Sequence, residues 1–389
     1  MKILLINAVC GIGSTGKICA DLAEYLEKCG NEVKIAYGRY SYVPEKYQKY
    51  AVQIGTPFSI KINALKARLF DNEGLNAKKA TKSFLRWADD FNPDLLWIHN
   101  LHGYYINYEL LFRWIKTRPQ MQVRWTLHDC WAFTGHCSHF TMAKCDKWKT
   151  GCSNCPQHEE YPKSFFDRSK KMYELKKKSF TGVQNLTIIT PSQWLSDLVK
   201  QSFLKEYPVK VINNGIDLSV FKPTESNFKE RYSISKDKYI LLGVAFDWGP
   251  RKGLDVFIEL SKCLPDEFQI VLVGTNTRID KLLPSNIISI HRTKNPAELA
   301  EIYTASDLFV NPTREDNFPT VNLESLACGT PVLTYKTGGS PECLNETCGS
   351  VVECDDIDAL EREIKRICIS RPYSREACIL RAKAFDKNK

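Results

Sequence analysis

The chain has 389 residues, 43% of them hydrophobic and 11% aromatic, with no low-complexity tract; this excludes a disordered protein and leaves room for two ordinary domains. No run of about eighteen apolar residues occurs, so no segment is predicted to span a membrane. The formal net charge of +9 calls for an anionic partner: nucleic acid, an anionic membrane surface or a phosphorylated ligand.

The opening "MKILLINAV" reads as a buried strand rather than a signal peptide, because a polar, glycine-rich loop follows it with no small-residue cleavage site. A cytoplasmic protein is expected. Its 15 cysteines then do not form a disulfide framework, and Cys10, Cys19, Cys263, Cys328 and Cys368 fit apolar patterns as small core residues. The next stretch, "CGIGSTGKICADL", fits two phosphate-loop patterns at once. A P-loop needs Ser or Thr after Lys17, but Ile18 stands there, inside the apolar stripe Ile18, Leu22, Leu26, Cys29. A dinucleotide fold needs a carboxylate after the second strand, and "VKIAYGRY" offers Arg39. What survives is a loop of Gly11, Gly13 and Gly16 opening a helix whose free N–H groups suit an anion or a hydroxyl-rich ligand.

Further along, "EVKIAY", "DLLWIH", "VRWTLH", "LTIIT" and "VKVIN" read as strands with helical patterns between many of them. Two basic segments with helical spacing, 61–87 and 168–180, present either a solvated face or a surface for anionic lipid head groups. The polar stretch 214–236 is a turn and linker. Beyond it come "YILLGVAF", "FQIVLVG", "IISIH", "DLFVN", "PVLTY" and "GSVVE". Strand–helix alternation on both sides predicts two doubly wound parallel sheets, facing each other across a cleft lined by the loops after their strands.

Four stretches together resemble the family 4 retaining glycosyltransferases of the GT-B class: "VINNGIDLSVFKP" (211–223), "PRKGLDVFIEL" (250–260), "TREDNFPTVNLESLACGTPVLTYKTGGSPE" (313–342) and "WTLHDCWAFTGHC" (125–137). With "WIHNLHGYYIN" (97–107) and "CDKWKTGCSNCP" (145–156), the chain looks like the exopolysaccharide, colanic acid-type branch. The resemblance implies an α/β, GT-B fold of two Rossmann-like domains: 1–218 on the acceptor side, with a cysteine-rich loop at 129–160, and 219–372 on the donor side. A short C-terminal helix follows at 373–389.

The resemblance also implies metal-independent transfer of a hexose from a nucleotide-sugar donor to a lipid-linked saccharide at the inner face of the cytoplasmic membrane, with no nucleic-acid partner. It gives His128 a contact with the donor sugar, and Asp129 either orients His128 or serves the acceptor. Lys252 holds the diphosphate, Asp316 the sugar and Glu324 the ribose. Gly274, Asn317, Phe318, Pro319 and Thr320 line the donor side, with Pro319 in the first turn of its helix. Gly11, Gly13 and Gly16 line the acceptor side and approach the diphosphate. Two departures stand out. The first family glutamate is replaced by Asp316, with Glu315 as its alternative, and the family's arginine six residues before the lysine is Phe246. Arg251, Arg292 or Arg314 is expected to complete the phosphate clamp.

Cys137, Cys145, Cys152 and Cys155 have spacings that suit a structural zinc site closed by a C-x₂-C pair; reduced cysteines packing the loop are the alternative. Two other functions fit less of the chain. One is nucleotide-sugar epimerisation or hydrolysis on a similar scaffold; the other is a non-catalytic nucleotide-binding protein with a zinc module.

Overall fold

The apolar runs become parallel strands in the computed structural model, which describes residues 1–389. They fall into two units, Met1–Ile212 and Asn213–Lys389. In the first, β1 (Lys2–Ile6), α1 (Gly13–Lys28), β2 (Glu32–Tyr37) and β3 (Ala51–Gln53) are followed by α2 (Pro57–Phe70) and α3 (Lys78–Phe91). Then come β4 (Leu95–Ile98), α4 (Tyr108–Lys116), β5 (Gln122–Thr126), α5 (Ser169–Phe180), β6 (Leu186–Thr190), α6 (Gln193–Val199) and β7 (Val209–Val211). The seven-stranded sheet runs β3-β2-β1-β4-β5-β6-β7, every pair parallel. Alternate residues of β1 serve opposite faces. Leu4 and Ile6 pack with Phe84, Ala88 and Phe112, whereas Ile3 and Leu5 pack with Cys19, Ala20 and Ala23 of α1. Covering both faces in this way is what makes such strands continuously apolar.

The second unit contains α7 (Phe228–Arg231), β8 (Tyr239–Val244), α8 (Leu254–Cys263), β9 (Phe268–Val273), α9 (Thr277–Asp280), β10 (Ile287–Ile290) and α10 (Pro296–Ala305). It continues with β11 (Leu308–Asn311), α11 (Thr320–Ala327), β12 (Val332–Tyr335), β13 (Gly349–Val352), α12 (Ile357–Ser370) and α13 (Arg375–Lys383). Its six-stranded parallel sheet runs β10-β9-β8-β11-β12-β13. Both orders reverse direction once, between β1 and β4 and between β8 and β11. Loops leaving the carboxyl ends of strands at such a reversal diverge to opposite faces and leave a crevice, where ligands bind in this architecture.

The division between the units lies upstream of the expected 218/219 boundary. Ile216 N–H donates to the Phe385 carbonyl at 2.7 Å, Lys387 N–H donates to Ile216 at 3.1 Å, and Lys387 pairs with Asp217 at 2.8 Å. These contacts draw the linker into the second unit. The segment 373–389 belongs there too: Cys378 and Ala382 of α13 enter its core, and Arg381 donates to the carbonyls of Glu342 and Cys343. The edge strand β3 has no counterpart among the apolar runs, because three half-exposed residues carry no readable alternation.

Candidate active-site residues

In the second unit the loops after β8 and β11 meet at the sheet reversal. After β8, a short turn, Pro250–Lys252, leads through Gly253 into α8. Gly253 has φ +73, and a Cβ there would lie 2.5 Å from the Pro312 carbonyl oxygen, so the turn presses directly on the segment after β11. That contact brings Lys252 Nζ to 2.5 Å from Asp316 Oδ2, with the two side chains only 18% and 20% exposed. Asp316 Oδ1 accepts the Asn317 N–H at 2.9 Å. Gly338, with φ +54, lets the loop after β12 approach the Asp316 carbonyl, which accepts the Gly339 N–H at 3.2 Å.

The other predicted donor residues divide. Glu324 lies one turn into α11 and accepts the Tyr303 hydroxyl at 3.2 Å. Pro319 is the cap residue before α11 rather than part of its first turn, so Thr320 opens the helix, with no side-chain cap bond. Phe318 is buried, its ring against Phe385 with centroids 5.6 Å apart, so its side chain belongs to the core of the second unit. Glu315 and Asn317 are buried as well. Gly274 follows β9 with φ +88, and a Cβ there would lie 1.9 Å from the Ala245 carbonyl oxygen; the loop conformation requires glycine.

Two of the three arginines expected to complete a phosphate clamp are engaged elsewhere. Arg314 grips both oxygens of Asp255 at 2.8 and 2.7 Å, Asp355 at 2.6 Å and the Pro250 carbonyl. Arg251 donates to the Glu315 carbonyl at 3.1 Å. Both pin the Lys252 turn to the segment after β11. Arg292 is exposed beyond the end of β10. Asn311, Asn322, Ser340 and Thr334 form a buried polar network that fixes the start of α11. Nothing in their spacing singled them out.

In the first unit the loops after β4 and β5 bring three histidines together. His99 Nδ1 and His128 Nε2 are 3.0 Å apart with rings stacked, and the His99 ring continues onto Trp97. Burial holds both imidazoles in the neutral form; His128 is lowered to about 4, and His99 well below its ordinary value. Asp129 does not orient His128 by a direct bond. Its Oδ2 bonds His102 Nε2 at 2.9 Å, Oδ1 accepts the Trp131 N–H, and His102 Nδ1 meets the Tyr161 hydroxyl at 2.9 Å. Burial raises the Asp129 pKa, but His102 outweighs it and brings the carboxyl down to about 2. The sequence signal for His99 and His102 lay in "WIHNLHGYYIN", at the carboxyl end of β4; Tyr161 had none. Gly11 and Gly13 take φ +70 and +64 before and at the first residue of α1, and a Cβ on Gly16 would lie 2.8 Å from Val9.

The four thiols line one pocket with His136, Phe140 and Trp148, but they do not make the expected zinc site: no group of three or more His, Cys, Asp or Glu side chains is placed to hold a metal ion. Cys137 hydrogen-bonds Cys155, and Cys152 accepts the Gly135 N–H at 3.1 Å. The loop is clasped in other ways. Trp148 packs on Phe133 and Phe140, and His136 bonds Asp71 at 2.6 Å. Lys176, buried and lowered to about 7 by desolvation, donates to the carbonyls of Trp131 and Thr134 at 2.7 and 3.1 Å.

Comparison with known proteins gives the family and the fold. The Glycosyltransferase Family 4 model matches residues 15–220, and the Glycosyl transferases group 1 model matches residues 225–385. The colanic acid biosynthesis glycosyl transferase WcaC of Escherichia coli is 25% identical over 368 residues, covering 92% of this chain and 88% of that protein. An N,N'-diacetylbacillosaminyl-diphospho-undecaprenol alpha-1,3-N-acetylgalactosaminyltransferase of Campylobacter jejuni is 28% identical over 181 residues, 44% of this chain and 47% of its own. In fold, the chain is similar to sucrose-phosphate synthase of Thermosynechococcus elongatus, with TM-score 0.74, 18% identity, and 99% and 95% of the two chains covered. It is also similar to Anabaena HepE, solved in complex with UDP, with TM-score 0.65, 15% identity, and 100% and 96% covered.

Proposed function

The chain belongs to glycosyltransferase family 4, and we propose that it moves a hexose from a nucleotide diphosphate sugar, with retention of configuration, to a lipid-linked glycan of a bacterial surface polysaccharide. The observation that carries this reading is the Lys252–Asp316 pair at the sheet reversal of the second unit. A nucleoside diphosphate leaving group develops negative charge, which a fixed ammonium, paired with the segment that leads into α11, stabilises as it forms. Asp316 accepts hydroxyls of the transferred sugar, and Glu324, one turn along α11, accepts the ribose hydroxyls. His128, neutral at physiological pH, contributes a hydrogen bond rather than a charge. No metal is needed for these roles.

The names of the relatives support the acceptor class: that of WcaC assigns it to colanic acid biosynthesis, and that of the Campylobacter relative contains a diphospho-undecaprenol sugar. HepE bound to UDP supports a nucleotide donor. The test is a thermal-shift panel of UDP, GDP and ADP with their sugar conjugates, run on wild type and Glu324→Ala. A ligand at ~100 times its Kd stabilises by about 2.7 kcal/mol. One diphosphate family should stabilise wild type and not the variant. Proton NMR of the product formed on an undecaprenyl diphosphate sugar then reads the anomer. An inverted anomer, or free sugar alone, refutes the reading.

A further inference from the structure

The outer face of α2 has no partner within its unit. Phe58, Ile62, Leu65 and Leu69 recur at helical spacing and so share one narrow stripe, exposed by 73%, 37%, 57% and 36%. The helix is fixed in this orientation by its other side. Asn63 and Ala67 are buried, Asn63 donates to the Tyr104 carbonyl at 3.0 Å, and Ile60 packs on the core. A loop extends the stripe at its C-terminal end. Phe165 N–H and the Ser164 hydroxyl both donate to the Arg68 carbonyl, and the Arg68 guanidinium lies over the Phe165 ring. Phe70, Phe165 and Phe166 are 50%, 57% and 63% exposed. The phenylalanines of this patch alone present roughly 500 Å² of apolar surface, the size of the largest patch on an ordinary monomer.

Cations border the patch. Lys61 and Arg68 flank the stripe on one side and Lys66 on the other, and all three are exposed. Lys163 lies in the loop, and Lys170 and Lys171 open α5, which Arg168 ties to the Phe70 carbonyl. Residues 57–70 contain no Asp or Glu. The nearby Asp167 is occupied by the N–H groups of Cys155 and Ser169. α3, by contrast, turns its apolar residues Phe84, Leu85 and Ala88 into the core and leaves Ser83, Asp89 and Asp90 outside together with its lysines and Arg86.

We propose that this face of the first unit, α2 with the Phe165–Phe166 loop, docks on an anionic bilayer surface. Aromatic and aliphatic side chains enter the acyl boundary while the bordering Lys and Arg meet the head groups. A second copy is the poorer occupant, because a helix without a single carboxylate would set like charge against like charge across any two-fold contact. The inference deepens the function proposed above, since a lipid-linked acceptor is presented at such a surface. Docking itself requires neither donor nor acceptor.

The experiment is co-sedimentation of the full chain with vesicles of phosphatidylcholine alone and of phosphatidylcholine with phosphatidylglycerol. Three proteins are compared: wild type, Phe58→Ser/Leu65→Ser and Lys61→Gln/Lys66→Gln/Arg68→Gln. Each Lys or Arg near an anionic leaflet is worth about a fivefold factor in affinity, so the triple variant should bind about a hundredfold more weakly. The serine variant should lose binding while its unfolding transition stays that of wild type. Wild type that ignores the anionic vesicles, or binds both kinds equally, overturns the proposal, as do variants that bind like wild type. A wild-type dimer that the serine variant dissociates also overturns it. Nucleotide-induced stabilisation, measured on the same proteins, reports the donor site separately: it should persist in both variants.

Discussion

Lys252 must leave or share Asp316 to hold a diphosphate, which gives two neighbouring substitutions opposite effects. The pair is 2.5 Å apart and about four-fifths buried. Two unit charges about 4 Å apart at an effective dielectric near 20 attract by about 4 kcal/mol. Desolvation offsets most of that, leaving on the order of 1–2 kcal/mol. Asp316→Asn removes the competitor, so the Kd of the free nucleoside diphosphate should tighten by about tenfold, while turnover falls because the sugar loses its acceptor. Lys252→Met removes a charge-assisted bond worth about 1.5–3 kcal/mol, so the same Kd should weaken by about 10- to 150-fold. Titration calorimetry on wild type, both single variants and the double variant closes the cycle and isolates the coupling. If Asp316→Asn weakens diphosphate binding as Lys252→Met does, the carboxylate does not compete, and the reasoning is refuted.

His128 is held at about 4 by burial against an ordinary 6.5, so the unfolded chain takes up a proton that the folded chain refuses, and stability falls as pH drops from about 6.5 to about 4. The full effect is about 3 kcal/mol; Tm measured from pH 7 to 5 should fall in wild type and fall less in His128→Asn. His136 acts in the opposite sense. Burial lowers its pKa, but Asp71 raises it above the ordinary value, so its contribution is complete below about 6.5 and fades as pH rises past the folded pKa. Gly253→Ala sets a Cβ against the Pro312 carbonyl in a left-handed conformation, which should lower Tm by several degrees and weaken nucleotide binding through the displaced turn. Phe246→Arg, at a fully exposed position after β8, should tighten diphosphate binding by tenfold or more if the side chain reaches the phosphates; calorimetry reads this directly. Arg314→Met should lower Tm and leave the salt dependence of diphosphate binding unchanged, whereas Lys252→Met should flatten it.

The sheets were legible because buried parallel strands are continuous apolar runs, and "KILLI" and "YILLGV" are such runs on both faces. The Lys252–Asp316 meeting was legible only as two motifs more than sixty residues apart. Their contact depends on the positive φ of Gly253 and on the β8–β11 pairing, which no local pattern encodes. The packing of Phe318 was not legible for the same reason: a motif gives the residues of a loop, whereas burial against Phe385 near the end of the sequence decides which way one of them points. The cysteine spacing suggested a metal, yet the loop is clasped by the packing of Trp148 on Phe140 and by a lysine from α5, a residue that local spacing cannot bring there. The apolar stripe of α2 has the period of a core-facing helix, and only the burial of Asn63 and Ala67 shows that the helix is turned the other way.

The engagement of Arg314 and Arg251 changes how the donor site must work. Five residues between 246 and 316 looked like sources of positive charge or stood where the family has one: Phe246 carries none, Arg292 is exposed beyond β10, Arg314 spends its donors on two aspartates and a loop carbonyl, Arg251 donates to the Glu315 carbonyl, and Lys252 pairs with Asp316. Asp255 and Asp355 neutralise Arg314 locally, and the bonds of both Arg314 and Arg251 hold the turn before α8 against the segment after β11, which sets the position of Lys252. A rigidly placed single ammonium with the backbone N–H groups of α11 can stabilise a leaving diphosphate as well as a looser cluster, because it needs no reorganisation when the charge develops. It also binds the departed diphosphate less tightly than three cations would, and Asp316 waits 2.5 Å away to take the lysine back. On the proposed roles, the carboxylate assigned to the donor sugar thus also favours release of the spent nucleotide, which a clamp of arginines would not do.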